Sequence, residues 1–168
     1  MKRQHGFTMI EVLIAIFIFA IGFLGAGALQ MASLQSNQNN MYRTQAIFLA
    51  NEIADQMRTN LTASKNGTAF NNINTATITT TTVNNCKSLD TGCNANDLAS
   101  NSLIEWSKNF KSVNGVPAIL PNGSGTITRS ATNTNNFEIK IQWNERDWQG
   151  NTNVRSHQEA EYSLIVTL

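Results

Sequence analysis

The chain has 168 residues, of which 41% are hydrophobic and 14% are charged. This length predicts one modest domain and argues against a multidomain enzyme. The net charge of +1 supplies no broad electrostatic surface for wrapping nucleic acid, so a dedicated DNA or RNA module is not expected. Asparagine and threonine account for 23 and 18 residues, which favours a loop-rich, β-containing body over a helical bundle.

An apolar segment of 23 residues, 7–29, lies near the N-terminus and carries a single charge, Glu11. About 20 helical residues cover the roughly 30 Å hydrocarbon core of a bilayer, so this segment is long enough to span a membrane. Its 13 Leu, Ile, Phe and Val residues favour insertion by roughly 4 to 8 kcal/mol, against about 3 kcal/mol for an ionised glutamate at mid-membrane. Because Lys2 and Arg3 precede the span and the first charge after the span is Arg43, the positive-inside rule predicts a cytoplasmic N-terminus and an exported C-terminal part.

Three interpretations of this segment compete: a plain signal anchor, a cleaved secretory signal, and a processed membrane helix that serves assembly. The small residues Ala26-Gly27-Ala28 resemble an ordinary signal-peptidase site. Against a secretory signal, the apolar run is longer than a typical h-region, and a carboxylate lies near its start.

The residues around Glu11 resemble the cleavage and methylation motif of type IV prepilins, which also occurs in the pseudopilins of type II secretion. A short basic leader is followed by Gly6-Phe7-Thr8-Met9-Ile10-Glu11 and then by the apolar run. The resemblance implies that a prepilin peptidase removes the leader, residues 1–6, by cutting between Gly6 and Phe7. It also implies that Phe7 becomes the N-methylated terminus and that Glu11 is the assembly glutamate.

Glu11 is also a candidate functional residue on physical grounds. An ionisable residue inside a membrane needs a partner that offsets its desolvation, and it marks a functional site by default. We expect this partner to be the charged amine of Phe7, four residues away on the same helix or supplied by a neighbouring subunit. The alternative is that Glu11 lies at the membrane interface and reaches headgroups or water without further role.

Residues 30–64 are predicted to continue as an amphipathic helix on which the exported domain folds. Apolar residues recur there at three- and four-residue steps, namely Tyr42, Ala46, Leu49, Ile53, Met57 and Leu61. Within this region the helix is expected to be least stable at the polar run 35–40, because Ser and Asn side chains compete for backbone hydrogen bonds. Continuity of the helix through this run is left open.

The remaining residues, 65–168, are expected to form an exported globular domain that begins with an Asn- and Thr-rich connection. One irregular strand is predicted within that connection, at 75–83. A helix is predicted over 96–110, capped by Asn96 or Asp97. Its apolar residues fall at near-helical spacing, namely Leu98, Leu103, Trp106 and Phe110.

Three strands are predicted after this helix, at 125–130, 137–143 and 160–168. The second alternates cleanly between apolar and polar residues, with Phe137, Ile139, Ile141 and Trp143 on one face. The predicted fold class is therefore α+β and type IV pilin-like, with a long N-terminal helix packed on a mostly antiparallel sheet.

Cys86 and Cys93 enclose six residues, and in an exported segment a disulfide between them is expected. For so short a loop, the chain-entropy model gives a stabilisation of about 2 to 3 kcal/mol. The two cysteines lack the nearby histidines of a zinc site, and a redox pair is more usually spaced Cys-x-x-Cys.

The chain has a finer resemblance, over most of its length, to minor pilins of the PilV type. This resemblance is carried by the turn Leu120-Pro121-Asn122-Gly123-Ser124-Gly125, by the tryptophan-bearing strand after it, and by the Cys-to-Trp spacing upstream. It implies a low-abundance subunit that helps to initiate or cap type IV pilus assembly in a Gram-negative envelope. The implied partners are other minor pilins, the major pilin and the inner-membrane assembly platform, with the subunit moving from the inner membrane to the surface pilus.

Glu145, Asp147 and Trp148 form a candidate partner face, since tryptophan is enriched at interface hot spots. Core packing is the preferred interpretation of Trp143. The sequence contains no nucleotide-binding loop, zinc-protease motif or nucleophile elbow, so no enzyme activity, cofactor, metal or small-molecule substrate is predicted. The alternatives to a minor pilin are a minor pseudopilin of type II secretion, a membrane-anchored binding domain and a secreted adhesin.

Overall fold

The computed structural model describes residues 8–79, 92–146 and 157–168 of the chain. The chain divides into two compact units, Met1–Gln38 and Asn39–Leu168, which we call the apolar helical unit and the sheet unit. Helix α1 runs from Met9 to Thr59. Residues 35–40 are helical, so the polar run whose continuity the sequence left open does not interrupt α1.

Within the sheet unit, α1 buries one side against the core. This side consists of Ala46, Leu49, Ala50, Ile53, Ala54 and Met57. Tyr42 is half-buried at its edge. The predicted apolar stripe is thus confirmed in its middle but wrong at Leu61, which is 46% exposed, because α1 has already ended at Thr59.

A π-helical turn, Thr62–Asn66, follows α1, and polar side chains close it. The Ser64 hydroxyl donates to the Met57 carbonyl at 2.8 Å. The Asn60 side-chain amide donates to the Ala95 carbonyl at 2.6 Å. The first bond is made to the last turn of α1, and the second joins the end of α1 to Ala95, the first residue of the next helix.

Strand β1 is short, Ile73–Asn74, and it lies earlier than the sequence predicted. The strand expected at 75–83 is wrong over 75–79, which form a turn and irregular structure, while 80–83 lie outside the described residues. The physical reason is a turn closed by Asn74: its side-chain oxygen accepts the N–H of Ala76 at 2.9 Å, and its carbonyl accepts the N–H of Thr77 at 3.1 Å. Such Asx turns end a strand locally.

Helix α2, Ala95–Lys108, begins one residue before the predicted start, and its cap is Asn94 rather than Asn96 or Asp97. Asn94 has an extended backbone and accepts the N–H of Asp97 through its side-chain oxygen at 2.9 Å, as an N-cap does. The helix buries Ala99, Asn101, Leu103, Trp106 and Ser107. The buried face passes through Ala99 and leaves the neighbouring Leu98 46% exposed.

The other strands are β2 (Ser124–Arg129), β3 (Asn136–Arg146) and β4 (His157–Thr167). Together with β1 they form a four-stranded sheet in chain order, in which every neighbouring pair is antiparallel. The predicted alternation in β3 is confirmed, since Phe137, Ile139, Ile141 and Trp143 are at most 1% exposed. The α+β class, with the long helix packed on an antiparallel sheet, is confirmed as well.

Arg129 joins the β2–β3 hairpin to the segment that follows α1. Its guanidinium donates to the carbonyls of Lys65 at 2.8 Å, Gly67 at 3.4 Å and Thr134 at 2.5 Å. It also lies over the Phe137 ring, 5.3 Å from the ring centroid, a distance suited to a cation–π interaction. One side chain thereby fixes the hairpin against the end of the first helix.

Gly125 permits a close approach between β2 and α2. A Cβ built on Gly125 would lie 2.5 Å from the Trp106 ring and 3.1 Å from the Phe110 ring. Trp106 has little room to move away, because its indole N–H donates to the Leu49 carbonyl of α1 at 2.9 Å. Only glycine therefore fits at this position without displacing the indole.

We predict that Gly125→Ala lowers the free energy of unfolding by about 1 to 3 kcal/mol, the usual cost of overpacking a core. Denaturant unfolding of the detergent-solubilised chain, followed by tryptophan fluorescence, measures this change. Gly22→Ala is the matched control, since a Cβ there meets nothing within 4 Å. Equal stabilities for Gly125→Ala and the unaltered chain would contradict the packing described here.

Candidate functional site

The apolar helical unit exposes its large side chains along the whole described part of its length. α1 is long and apolar enough to cross a membrane, and its most apolar 18-residue window has none of its surface buried within the chain. Phe17, Phe19, Phe23 and Leu24 are each at least 68% exposed. Apolar surface of this extent requires lipid or the helices of other subunits as its surroundings.

A polar contact between Thr8 and Glu11 lies at the start of α1. The backbone N–H of Thr8 donates to Oε2 of Glu11 at 2.9 Å, and the Thr8 hydroxyl donates to the same oxygen at 3.0 Å. In the other direction, the Glu11 N–H donates to the Thr8 carbonyl at 3.1 Å. Thr8 precedes the first helical residue, so this is a variant of the capping box, with the glutamate three residues beyond the cap.

This cap has an electrostatic consequence for the carboxylate. Two donors converge on one oxygen of Glu11, and the N-terminus of a helix favours negative charge through its free N–H groups. The two hydrogen bonds from Thr8 and the helix N-terminus therefore stabilise the negative charge of Glu11 without any contribution from another chain. Glu11 is held in a fixed direction, which a group used for recognition requires.

Thr8 is not among the functional residues predicted from the sequence. The spacing Thr8-x-x-Glu11 is itself a capping-box pattern before an apolar run, so a signal was present. The expected contact between Glu11 and the amine of Phe7 stays a prediction, because Gly6 and Phe7 lie outside the described residues, as does the leader.

The candidate partner face is described only in part. The indole N–H of Trp143 donates to Oε1 of Glu145 at 3.2 Å, and Trp143 itself is 1% exposed, which confirms its place in the core. The Glu145 carboxylate is thereby held by a buried tryptophan near the end of β3. Asp147 and Trp148 lie outside the described residues, so their part in this face stays a prediction.

The predicted disulfide also extends beyond the described part of the chain. Cys93 is half-buried immediately before α2, whereas Cys86 lies outside the described residues. The Cys86–Cys93 bond therefore stays a prediction. In residues 8–79, 92–146 and 157–168, no group of three or more His, Cys, Asp or Glu side chains could hold a metal ion.

Ionisable groups on the sheet unit form surface pairs. Lys140 and Glu161 on β3 and β4 approach to 3.7 Å, and Lys108 pairs with Glu105 on α2 at 2.6 Å. Such exposed pairs contribute at most about 1 kcal/mol each. Glu159 and Glu161 lie on the exposed face of β4.

Comparison with protein-family models gives two adjoining matches. Residues 1–27 match the prokaryotic N-terminal methylation motif, and residues 28–103 match the family described as type IV pilin Tt1218. The first match contains the Thr8–Glu11 cap, and the second contains the rest of α1 and most of α2. Neither the curated proteins nor the solved structures yielded a match to the chain.

We predict that Thr8→Val weakens the first turn of α1, because it removes the hydroxyl that donates to Glu11 while keeping the backbone N–H. Hydrogen bonds to a charged group are stronger than those between neutral groups. Amide hydrogen exchange at Glu11 and Val12, measured on the full chain in detergent micelles, should become faster. Thr8→Ser keeps the hydroxyl and should leave this exchange rate unchanged; equal rates in both variants would show that the hydroxyl is dispensable.

Proposed function

Because the chain belongs to the type IV pilin-like proteins, whose members are structural subunits, we propose that it is a minor pilin that helps to initiate or cap a type IV pilus. The coarser statement, a pilin-like pilus subunit with an N-terminal membrane anchor, rests on the two family matches and on the apolar part of α1. The proposal adds a position at one end of the filament and a low copy number.

The observation that carries the proposal is the exposure of the apolar helical unit together with the cap at its start. A helix with this exposed surface is stable in lipid, and it is equally stable among the apolar helices of neighbouring subunits. Moving the subunit from the membrane to the filament therefore changes the free energy of its apolar side chains little. The carboxylate of Glu11 is different, because it needs a polar or charged partner in both places.

Glu11 would then act as a register group during assembly. Thr8 supports the carboxylate while the subunit is in the membrane, and the amine of Phe7 on a neighbouring subunit completes its pairing in the filament. A subunit shifted along its neighbour would bury an unpaired charge, which is strongly unfavourable. Correct register is thereby favoured over other arrangements of apolar helices.

Processing precedes assembly in this proposal. A prepilin peptidase cuts between Gly6 and Phe7 and methylates the new amine, while the cytoplasmic N-terminus keeps the sheet unit on the periplasmic side. Loss of Lys2 and Arg3 with the leader lowers the formal charge from +1 by two. No catalytic step is assigned to the chain itself.

The assignment as a minor subunit is supported by the sheet unit. Its Asn- and Thr-rich connection and the region around Glu145 suit specialised contacts at one filament end better than a surface repeated along the whole filament. We propose that residues 145–149 contact another minor pilin there. The alternative functions are a minor pseudopilin of type II secretion and an anchored binding domain.

We predict that Glu11→Gln inserts and is cleaved normally but enters filaments poorly, since glutamine keeps the shape and loses the charge that pairs with the Phe7 amine. N-terminal sequencing should give Phe7 as the first residue in both proteins, and immunoblots of sheared filaments measure incorporation. Gln30→Glu, which leaves Glu11 intact, controls for altered charge elsewhere in the apolar helical unit. Normal incorporation of Glu11→Gln would show that the carboxylate has no role in assembly.

Deletion of the protein should reduce the number of surface pili, while the remaining pili consist of the same major subunit. Quantitative mass spectrometry of sheared filaments should find this chain far below the main component. Comparable abundance would identify a major subunit instead. Lost protein secretion with unchanged pili would identify a pseudopilin, and unchanged pili and secretion would favour an anchored binding domain.

A further inference from the structure

The chain contains three Asn-Gly steps, Asn66-Gly67, Asn114-Gly115 and Asn122-Gly123. In such a step the backbone nitrogen of glycine can attack the side-chain amide of the preceding asparagine, since glycine has no Cβ to obstruct the approach. The attack requires a glycine nitrogen that is exposed to solvent base and is not held by a hydrogen bond. The three steps differ in how the surrounding structure restrains them.

The Asn122-Gly123 step is held against the core. The Gly123 N–H donates to the Leu120 carbonyl at 3.1 Å. A Cβ on Gly123 would lie 2.8 Å from Cβ of Leu120 and 3.2 Å from the Phe110 ring. The nitrogen of Gly123 is therefore both engaged and confined, although the Asn122 side chain lies at the surface.

The Asn66-Gly67 step is held at the end of the π-helical turn. The Gly67 carbonyl accepts a hydrogen bond from Arg129 at 3.4 Å, and a Cβ on Gly67 would lie 2.6 Å from the Ala63 carbonyl oxygen. Rotation of this peptide toward the Asn66 side chain would disturb both the turn and the Arg129 contact.

The Asn114-Gly115 step has neither restraint. Both residues are exposed, with φ of 51° and 81°, and they form the two central residues of a tight turn between Val113 and Val116. The two hydrogen bonds of the turn, at 3.1 and 2.9 Å, join the valines to each other. In the described part of the chain no acceptor is recorded for the Gly115 N–H, and a Cβ on Gly115 would meet nothing within 4 Å.

We propose that Asn114 is a site of spontaneous deamidation, with water as the co-reactant. The Gly115 nitrogen loses its proton to solvent base and attacks Cγ of Asn114. A carbon–nitrogen bond forms, ammonia leaves, and a five-membered succinimide results. Water then opens either carbonyl of this ring, which gives aspartate or isoaspartate at position 114.

The products alter the surface in two ways. Each adds a negative charge, so the formal charge falls by one for every molecule converted. Isoaspartate also adds a carbon to the backbone between Val113 and Val116, which the two-residue turn cannot accommodate without loss of its hydrogen bonds. Since only water is consumed, the converted fraction grows with the age of the molecule.

The test is peptide mapping by mass spectrometry of the full folded chain during prolonged incubation in mildly alkaline buffer. The peptide containing Asn114 should lose its amide several-fold faster than those containing Asn66 and Asn122. The same chain in denaturant is the internal control, because the folded-state restraints are gone and all three steps should convert at similar rates. Equal conversion of Asn114 and Asn122 in the folded chain would overturn the proposal.

A pair of variants assigns the reaction to its residue. Asn114→Gly removes the reactive amide and keeps a residue that accepts positive φ, so the acidic form that accumulates in the folded chain should disappear. Asn122→Gly is the matched control and should leave that form unchanged. Persistence of the acidic form in Asn114→Gly would overturn the assignment to Asn114.

Discussion

The sheet unit depends on how closely other elements approach α1. Ala46, Ala50 and Ala54 recur every fourth residue and are completely buried, so one strip of the helix presents only methyl groups to the core. Trp106 can therefore reach the α1 backbone, where its indole N–H bonds to the Leu49 carbonyl. A larger residue in this strip would overpack the core around α1.

Much of this architecture could be predicted from the sequence, because long periodic segments carry strong signals. β3 alternates without exception over its core residues, and the apolar stretch of α1 is long enough to span a membrane as a helix. The errors concern local choices. Leu61 was expected in the core because it continues the apolar stripe, whereas α1 ends at Thr59 and leaves Leu61 46% exposed.

Other features could not be predicted because several residues compete for one role. Asn94, Asn96 and Asp97 are all suitable caps, and only the extended backbone at Asn94 decides among them. The position of β1 depends on pairing Ile73 with Ile127, a partner far away in the chain. Thr8 was overlooked because Glu11 was interpreted as a membrane charge, although the same residue also completes the first turn of its own helix.

The chain-order arrangement of the sheet has a consequence for the order of folding. β2, β3 and β4 are joined as successive hairpins, so each new strand pairs with the one just before it, and little loop entropy is lost. The pairing of Ile73 with Ile127 closes a long loop, but β1 is only two residues long and can join last. The chain can thus fold from its N-terminus onward, with α1 first and the hairpins added one by one. No strand has to insert between two strands that are already paired.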